Sequence, residues 1–328
     1  MSAALEVEGL SVSFPGSAAA AERVGVLEAV SFSISAGEVL ALVGESGSGK
    51  SMTAFGCMRL VPKPGRIDRG RVALEGRELL PLSVPAMRSV RGTGISMIFQ
   101  EPMTSLSPVT NVGNQVVEAI RLHEKVTATA AKKRVLELFE RVGIPDPGDR
   151  FRAYPHQLSG GLKQRVMIAM ALSTRPRVLI ADEPTTALDV TIQAQILELM
   201  RELGEETGAA ILLITHDLGI VNELADRVAV MYGGRIVEEA SRHALLGSPR
   251  HPYTRGLLRS MPALARHGER LEEIPGAVPP PSEWPAGCRF ATRCLQVLEP
   301  CAGTVPETRS FGDAHHVACF ALDGESTA

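Results

Sequence analysis

Gly44, Glu45, Ser46, Gly47, Ser48, Gly49, Lys50 and Ser51 place glycines, a lysine and a hydroxyl in the pattern G-x-x-x-x-G-K-S. Glycines let a backbone fold back so that successive N–H groups line one concavity, a nest for anionic oxygens. The five residues before it, Val39 to Val43, are wholly apolar, as a parallel strand buried on both faces requires. A helix starting near Gly49 or Lys50 would aim its positive end at the same anion. This is chemistry for a nucleoside triphosphate such as ATP. Lys50 would reach the β- and γ-phosphates, and the Ser51 hydroxyl would ligate Mg²⁺. A Gly/Ser-rich surface turn is the plain alternative, but strand, loop and helix occur in the order that phosphate binding needs.

Three more apolar runs deliver polar residues at their carboxyl ends, the edge where ligands bind in open α/β sheets. Val178 to Ala181 runs into Asp182 and Glu183. Asp182 is placed to hold the Mg²⁺ shell, and Glu183 to polarise an attacking water as general base. Ile211 to Thr215 ends at His216, read either as a structural histidine or as a γ-phosphate contact, the second favoured by its position. Ile95 to Phe99 delivers Gln100, which can touch Mg²⁺ or the attacking water. Ser159, Gly160 and Gly161 follow Leu158 and could open a further helix, to about Ser173, whose dipole favours anions.

The phosphate loop, Gln100, Leu158 to Gly161, Asp182-Glu183, Ala187-Leu188-Asp189 and His216 come in the order and rough spacing of an ABC-type ATPase. The resemblance covers about residues 5 to 240. It implies that Ser159, Gly160 and Gly161 bind the γ-phosphate of a nucleotide held by a second cassette, with Asp189 at the dimer seam. Leu162 stands where the commonest form of that signature has glutamine. Phe14 looks like the family's adenine-stacking residue, and a plain core role is the competing reading. The expected fold class is α/β: a P-loop ABC ATPase core, with a mostly parallel sheet plus an antiparallel β edge. It would form a nucleotide-binding domain over residues 1–240, with a helical insert at about 101–172. A small irregular C-terminal extension would occupy residues 241–328.

Composition agrees with a water-soluble machine. The 328 residues carry a formal charge of −3, so no global field draws the chain to nucleic acid or anionic lipid. The basic residues form no stripe with interleaved aromatics, and no apolar run approaches the roughly 20 residues of a membrane span. No signal-peptide pattern opens the chain. Val135, Leu138, Phe139 and Val142 repeat at helical spacing, which predicts an amphipathic helix from Thr127 to Gly143, and Asn114 to Leu122 predicts another. Val228 to Tyr232, Gly233-Gly234 and Arg235 to Glu238 read as a hairpin.

From about Arg242 prolines become dense. Cys288, Cys294, Cys301 and Cys319 all fall here, whereas Cys57 reads as a small core residue. Clustered cysteines without a secretory signal suggest a metal site rather than disulfides. The wide, irregular spacing leans toward a 4Fe–4S cluster, with Zn²⁺, and unliganded thiols or a redox pair, as alternatives. His251, His315 and His316 are possible substitute ligands. The segments His251 to Leu258, Ile274 to Gly276 and Gly287 to Phe290 resemble the extension of ATPase subunits of dipeptide, oligopeptide and nickel importers, some of which carry a four-cysteine cluster. Gln100 to Pro108 and Tyr154 to Gln157 look like the same group. The resemblance implies a peripheral subunit on the cytoplasmic face of the cell membrane. Its partners would be a paralogous ATPase subunit, two transmembrane permease subunits and, indirectly, an extracytoplasmic solute-binding protein, with no nucleic acid. A non-transport ABC ATPase, an importer of nickel or another small solute, and a cluster-based redox-regulatory ATPase are the other readings.

Overall fold

The computed structural model describes residues 3–16, 23–100, 105–185, 190–260, 274–312 and 314–322. The elements begin with β1 (Ala3–Pro15), β2 (Arg23–Ser35), β3 (Val39–Val43), α1 (Lys50–Met58), β4 (Arg66–Leu74), β5 (Arg77–Glu78), α2 (Val84–Val90) and β6 (Ile95–Ile98). Four helices follow, α3 (Val112–His123), α4 (Ala128–Arg141), α5 (Pro147–Arg150) and α6 (Gly160–Ser173). Then come β7 (Val178–Asp182), α7 (Val190–Thr207), β8 (Ala210–Thr215), α8 (Leu218–Leu224), β9 (Arg227–Tyr232) and β10 (Arg235–Ser241). The chain ends with α9 (Arg242–Gly247), α10 (Pro252–Arg259), β11 (Arg309–Ser310) and β12 (His316–Val317). Among the described residues no helix is long and apolar enough to cross a membrane.

Packing divides the chain into two compact units. One comprises Met1–Leu5, Ile34–Glu38 and Leu74–Leu213; the other comprises Glu6–Ser33, Val39–Ala73 and Ile214–Ala328. In the first, strands run in the order β8-β7-β6, and β6 lies parallel to β7 with Ile95 opposite Val178. Both strands are buried on both faces, which is why they read as unbroken apolar runs. The helical segment packs through the residues that the periodicity marks. Val135, Phe139 and Val142 are buried, and the Thr127 hydroxyl caps α4 by accepting from the Ala130 N–H at 3.2 Å. Arg134 joins Glu124 at 2.6 Å and donates to the Ser173 carbonyl, so α4 is tied to the end of α6.

In the second unit the order is β11-β12-β10-β9-β3, with β3 parallel to β9 and the rest antiparallel. The β9–β10 hairpin turns on Gly233 and Gly234, as the sequence predicts. A second sheet runs β2-β1-β4. Residues beyond β10 pack onto this unit through an aromatic cluster. Tyr232, Tyr253 and Phe290 meet at centroid distances of 4.7 to 5.4 Å, in edge-on and tilted arrangements. Each such contact contributes about 1 kcal/mol beyond area burial.

Beside it, Glu238 is fully buried and accepts from the N–H groups of Arg250 and His251 and from His315 Nε2, the last at 2.7 Å. His251 caps α10 by accepting the Tyr253 N–H on Nδ1 at 3.0 Å, which assigns its proton to Nε2. Burial pushes its pKa down to about 4, against the attraction of Glu238. The unfolded chain therefore binds the proton first. This stability is complete above about pH 6.5 and is lost as pH falls toward 4, at about 1.4 kcal/mol per unit. Urea unfolding across that window should show the slope. His251→Asn, which keeps a capping oxygen without a titrating ring, should flatten it.

Candidate functional site

The second unit builds the phosphate loop. β3 ends at Val43, and the chain turns through Gly44 at φ 152° into α1, whose N-cap Gly49 has φ 108°. Only glycine serves at Gly44, because an added Cβ would lie 2.2 Å from the Met231 carbonyl oxygen. Lys50 is buried, and its ammonium donates to the carbonyls of Gly44 at 2.7 Å and Glu45 at 3.0 Å. Ser48 is fully buried and its carbonyl accepts the Gly234 N–H at 2.7 Å, so the β9–β10 turn braces the loop. Ser46 and Gly47 are exposed, and Ser51 is half-buried in the first turn of α1. Phe14 lies half-buried in β1, its ring tip against Gly65, where a Cβ would come within 2.6 Å of Cζ.

The first unit brings Gln100, Glu183 and the Ser159 segment onto one scaffold. Asp182 ends β7 and is 1% exposed. Glu183 follows in left-handed backbone, φ 48°, a conformation that costs a non-glycine residue about 1–3 kcal/mol and recurs at functional sites. Gln100 Nε2 donates to Glu183 Oε2 at 3.2 Å, leaving the glutamine oxygen for another partner. Ser159 caps α6, accepting the Leu162 N–H at 3.4 Å, and Ser159 and Gly160 are exposed at the helix's positive end. Leu162 thus enters through its backbone, whatever its side chain. Gln164 is 1% exposed and donates to the Pro184 carbonyl, tying α6 to the segment that carries Glu183.

His216 follows β8 and is exposed. Next to it, Asp217 caps α8 by accepting the Gly219 N–H at 2.8 Å. Asp189 lies outside the described residues. Within the first unit, Asp182 and Gln100 carry a carboxylate and an amide oxygen, hard donors of the kind Mg²⁺ takes.

The expected metal centre at Cys288, Cys294, Cys301 and Cys319 is not there, whether 4Fe–4S or Zn²⁺. Among the described residues no group of three or more His, Cys, Asp or Glu side chains could hold a metal ion. The cysteines are free thiols. Cys288 and Cys294 pack against the Tyr232–Tyr253–Phe290 core, and Cys301 is buried. Burial pushes the thiols of Cys288, Cys294 and Cys319 up, the last to about 11. His251, His315 and His316 join no such group among the described residues; His251 accepts the Tyr253 N–H and His315 pairs with Glu238.

Sequence reasoning missed Glu28, Glu45, Tyr253, Arg289 and Arg293. Arg289 stacks on Trp284 at 4.0 Å, pairs with Glu28 and donates to the Gly233 carbonyl. Arg293 holds the Glu45 carboxylate with both terminal nitrogens, at 2.7 and 3.1 Å. Partners 248 positions apart leave no mark on local pattern. The geometry of the loop gives a direct expectation. Gly44→Ala should lower stability by about 3 kcal/mol in urea unfolding, from the Cβ clash and the strained φ together.

Residues 27–186 match the family model "ABC transporter", and residues 237–301 match "Oligopeptide/dipeptide transporter, C-terminal region". The oligopeptide transport ATP-binding protein OppD of Bacillus subtilis is 50% identical over 97% of this chain and 88% of its own. The dipeptide transport ATP-binding protein DppD of Escherichia coli is 45% identical over 98% of both. These names describe ATP-binding transport proteins. Among solved structures, the dimeric post-hydrolysis state of the ATP-binding cassette MJ0796, bound to ADP and Pi, superposes with a TM-score of 0.66. It is 25% identical and covers 73% of this chain and 98% of that one. The fold is the P-loop ABC ATPase fold, and this chain is an ATP-binding, ATP-hydrolysing member of the oligopeptide/dipeptide transporter family of ABC proteins.

Proposed function

We propose that this chain hydrolyses ATP to energise peptide uptake, as one of two cassettes serving a pair of transmembrane permease subunits. Peptide rather than another solute is supported by the match over residues 237–301 and by relatives described as oligopeptide and dipeptide transport proteins. In this reading residues 1–240 are the nucleotide-binding domain, with the helical insert at about 101–172 facing the permeases. Residues 241–328 are the extension. The subunit is peripheral, on the cytoplasmic face, and an extracytoplasmic binding protein delivers the solute.

The loop amides and Lys50 take the β- and γ-phosphates of ATP, and Phe14 lies under the adenine. Ser159, Gly160 and Gly161 contact the γ-phosphate of a nucleotide held by a second, paralogous cassette, with Asp189 at the seam. Ser51, Asp182 and Gln100 are the residues that would hold Mg²⁺, which when bound would neutralise phosphate charge. Glu183 accepts the proton of the attacking water, Gln100 orients the Glu183 carboxylate, and His216 donates to the γ-phosphate. The observation that carries the reading is Glu183, held in left-handed backbone directly after the buried Asp182, with its carboxylate bonded by Gln100.

Glu183→Gln keeps size and hydrogen bonding but removes the base. Steady-state ATPase should fall at least about 100-fold while ATP affinity is retained. Undiminished hydrolysis would remove Glu183 from the base role. Lys50→Ala should instead weaken ATP binding itself, by about tenfold or more in equilibrium titration.

A further inference from the structure

Glu45 is the second residue of the phosphate loop, yet it faces the C-terminal extension. Two groups of the extension, Tyr253 and Arg293, and Lys50 of α1 hold it. Its N–H donates to the Tyr253 hydroxyl at 2.9 Å, so that amide is committed away from any phosphate. Its carbonyl accepts from Lys50 Nζ at 3.0 Å. Its carboxylate receives the two-pronged bond from Arg293. A forked guanidinium–carboxylate pair fixes direction as well as distance, which a single ammonium contact does not.

Arg293 cannot swing away cheaply. Its side chain is 4% exposed. Nε donates to the Pro275 carbonyl at 2.8 Å, and Nη2 reaches the carbonyls of Gly276 at 3.0 Å and Ile274 at 3.3 Å. Nη1 also approaches the Tyr232 hydroxyl at 3.5 Å. The cation is therefore a preset fixture of the extension. Leaving Glu45 would strand a buried charge.

We propose that Arg293 is a positioning residue for ATP. It acts through Glu45, whose placement sets both the curvature of the loop amides and the carbonyls that aim Lys50. The extension thereby sets nucleotide affinity, in addition to packing on its own unit. This rests on the phosphate loop being the ATP site, as proposed above.

The test is a double-mutant cycle on the full-length chain: Glu45→Gln, Arg293→Lys and both together. Equilibrium titration with Mg-ATP gives Kd, and urea unfolding run in parallel shows whether each variant is folded. Each single change should raise Kd about tenfold, or about 1.4 kcal/mol. The pair should be no weaker than either single variant, because both remove one interaction. Glu45→Gln leaves every bond from Arg293 to the extension carbonyls in place, so it decides alone if Arg293→Lys fails to fold. Two results would overturn the proposal: folded variants with Kd within twofold of the parent, or a double variant near 100-fold weaker, which means separate action. A parent chain that does not bind ATP would instead remove the nucleotide reading on which the proposal rests.

Discussion

The loop between β3 and α1 must stay folded back on itself, against an entropy of about 1–2 kcal/mol for each residue it fixes. Over eight residues that cost is on the order of 10 kcal/mol, comparable with the net stability of a domain. No regular hydrogen-bond ladder offsets it. The offset comes from separate places: Lys50 on the Gly44 and Glu45 carbonyls, the Gly234 amide on Ser48, and the Tyr253 hydroxyl and Arg293 guanidinium on Glu45. The rest of that unit is arranged to bring those groups to the loop. The β9–β10 hairpin supplies Gly234, α10 supplies Tyr253, and the segment after Phe290 supplies Arg293.

The first unit solves a different problem, which is to hold a carboxylate in a costly conformation. Glu183 sits at positive φ without being glycine. It persists because Asp182 on one side belongs to a buried strand and Pro184 on the other is bonded by the buried Gln164. Gln164 belongs to α6, the helix that Ser159 caps. A shift of that helix would be felt at Pro184, one residue from Glu183, through a single packed contact. The helix α4 holds α6 in turn: Arg134 donates to the Ser173 carbonyl, and Arg165 of α6 donates to the Val142 carbonyl just after α4.

The extension shows how a chain with 4% aromatic residues concentrates them where a satellite core is needed. Two of its three tyrosines meet Phe290 there. In that setting Cys288 and Cys294 pack as compact apolar side chains, and burial pushes their thiols up. Their clustering in sequence suggested a ligand set. Among the described residues, however, no group of side chains that could hold a metal forms from them.

Strands β3, β6, β7 and β8 were legible because strands buried on both faces must be apolar throughout. The α4 helix was legible because one buried face imposes a 3.6-residue period on Val135, Phe139 and Val142. The phosphate loop was legible because its backbone demands glycine at set places. These are local constraints, and local constraints are written in local spacing. What the chain alone determined, then, is the order of elements, the ATPase chemistry and the family. The tertiary structure alone decided that Arg293 meets Glu45, that Gln100 meets Glu183, and that the cysteines pack as thiols. Each of those depends on where distant segments converge. Convergence is set by the packing of whole elements, which no residue's neighbours in sequence record.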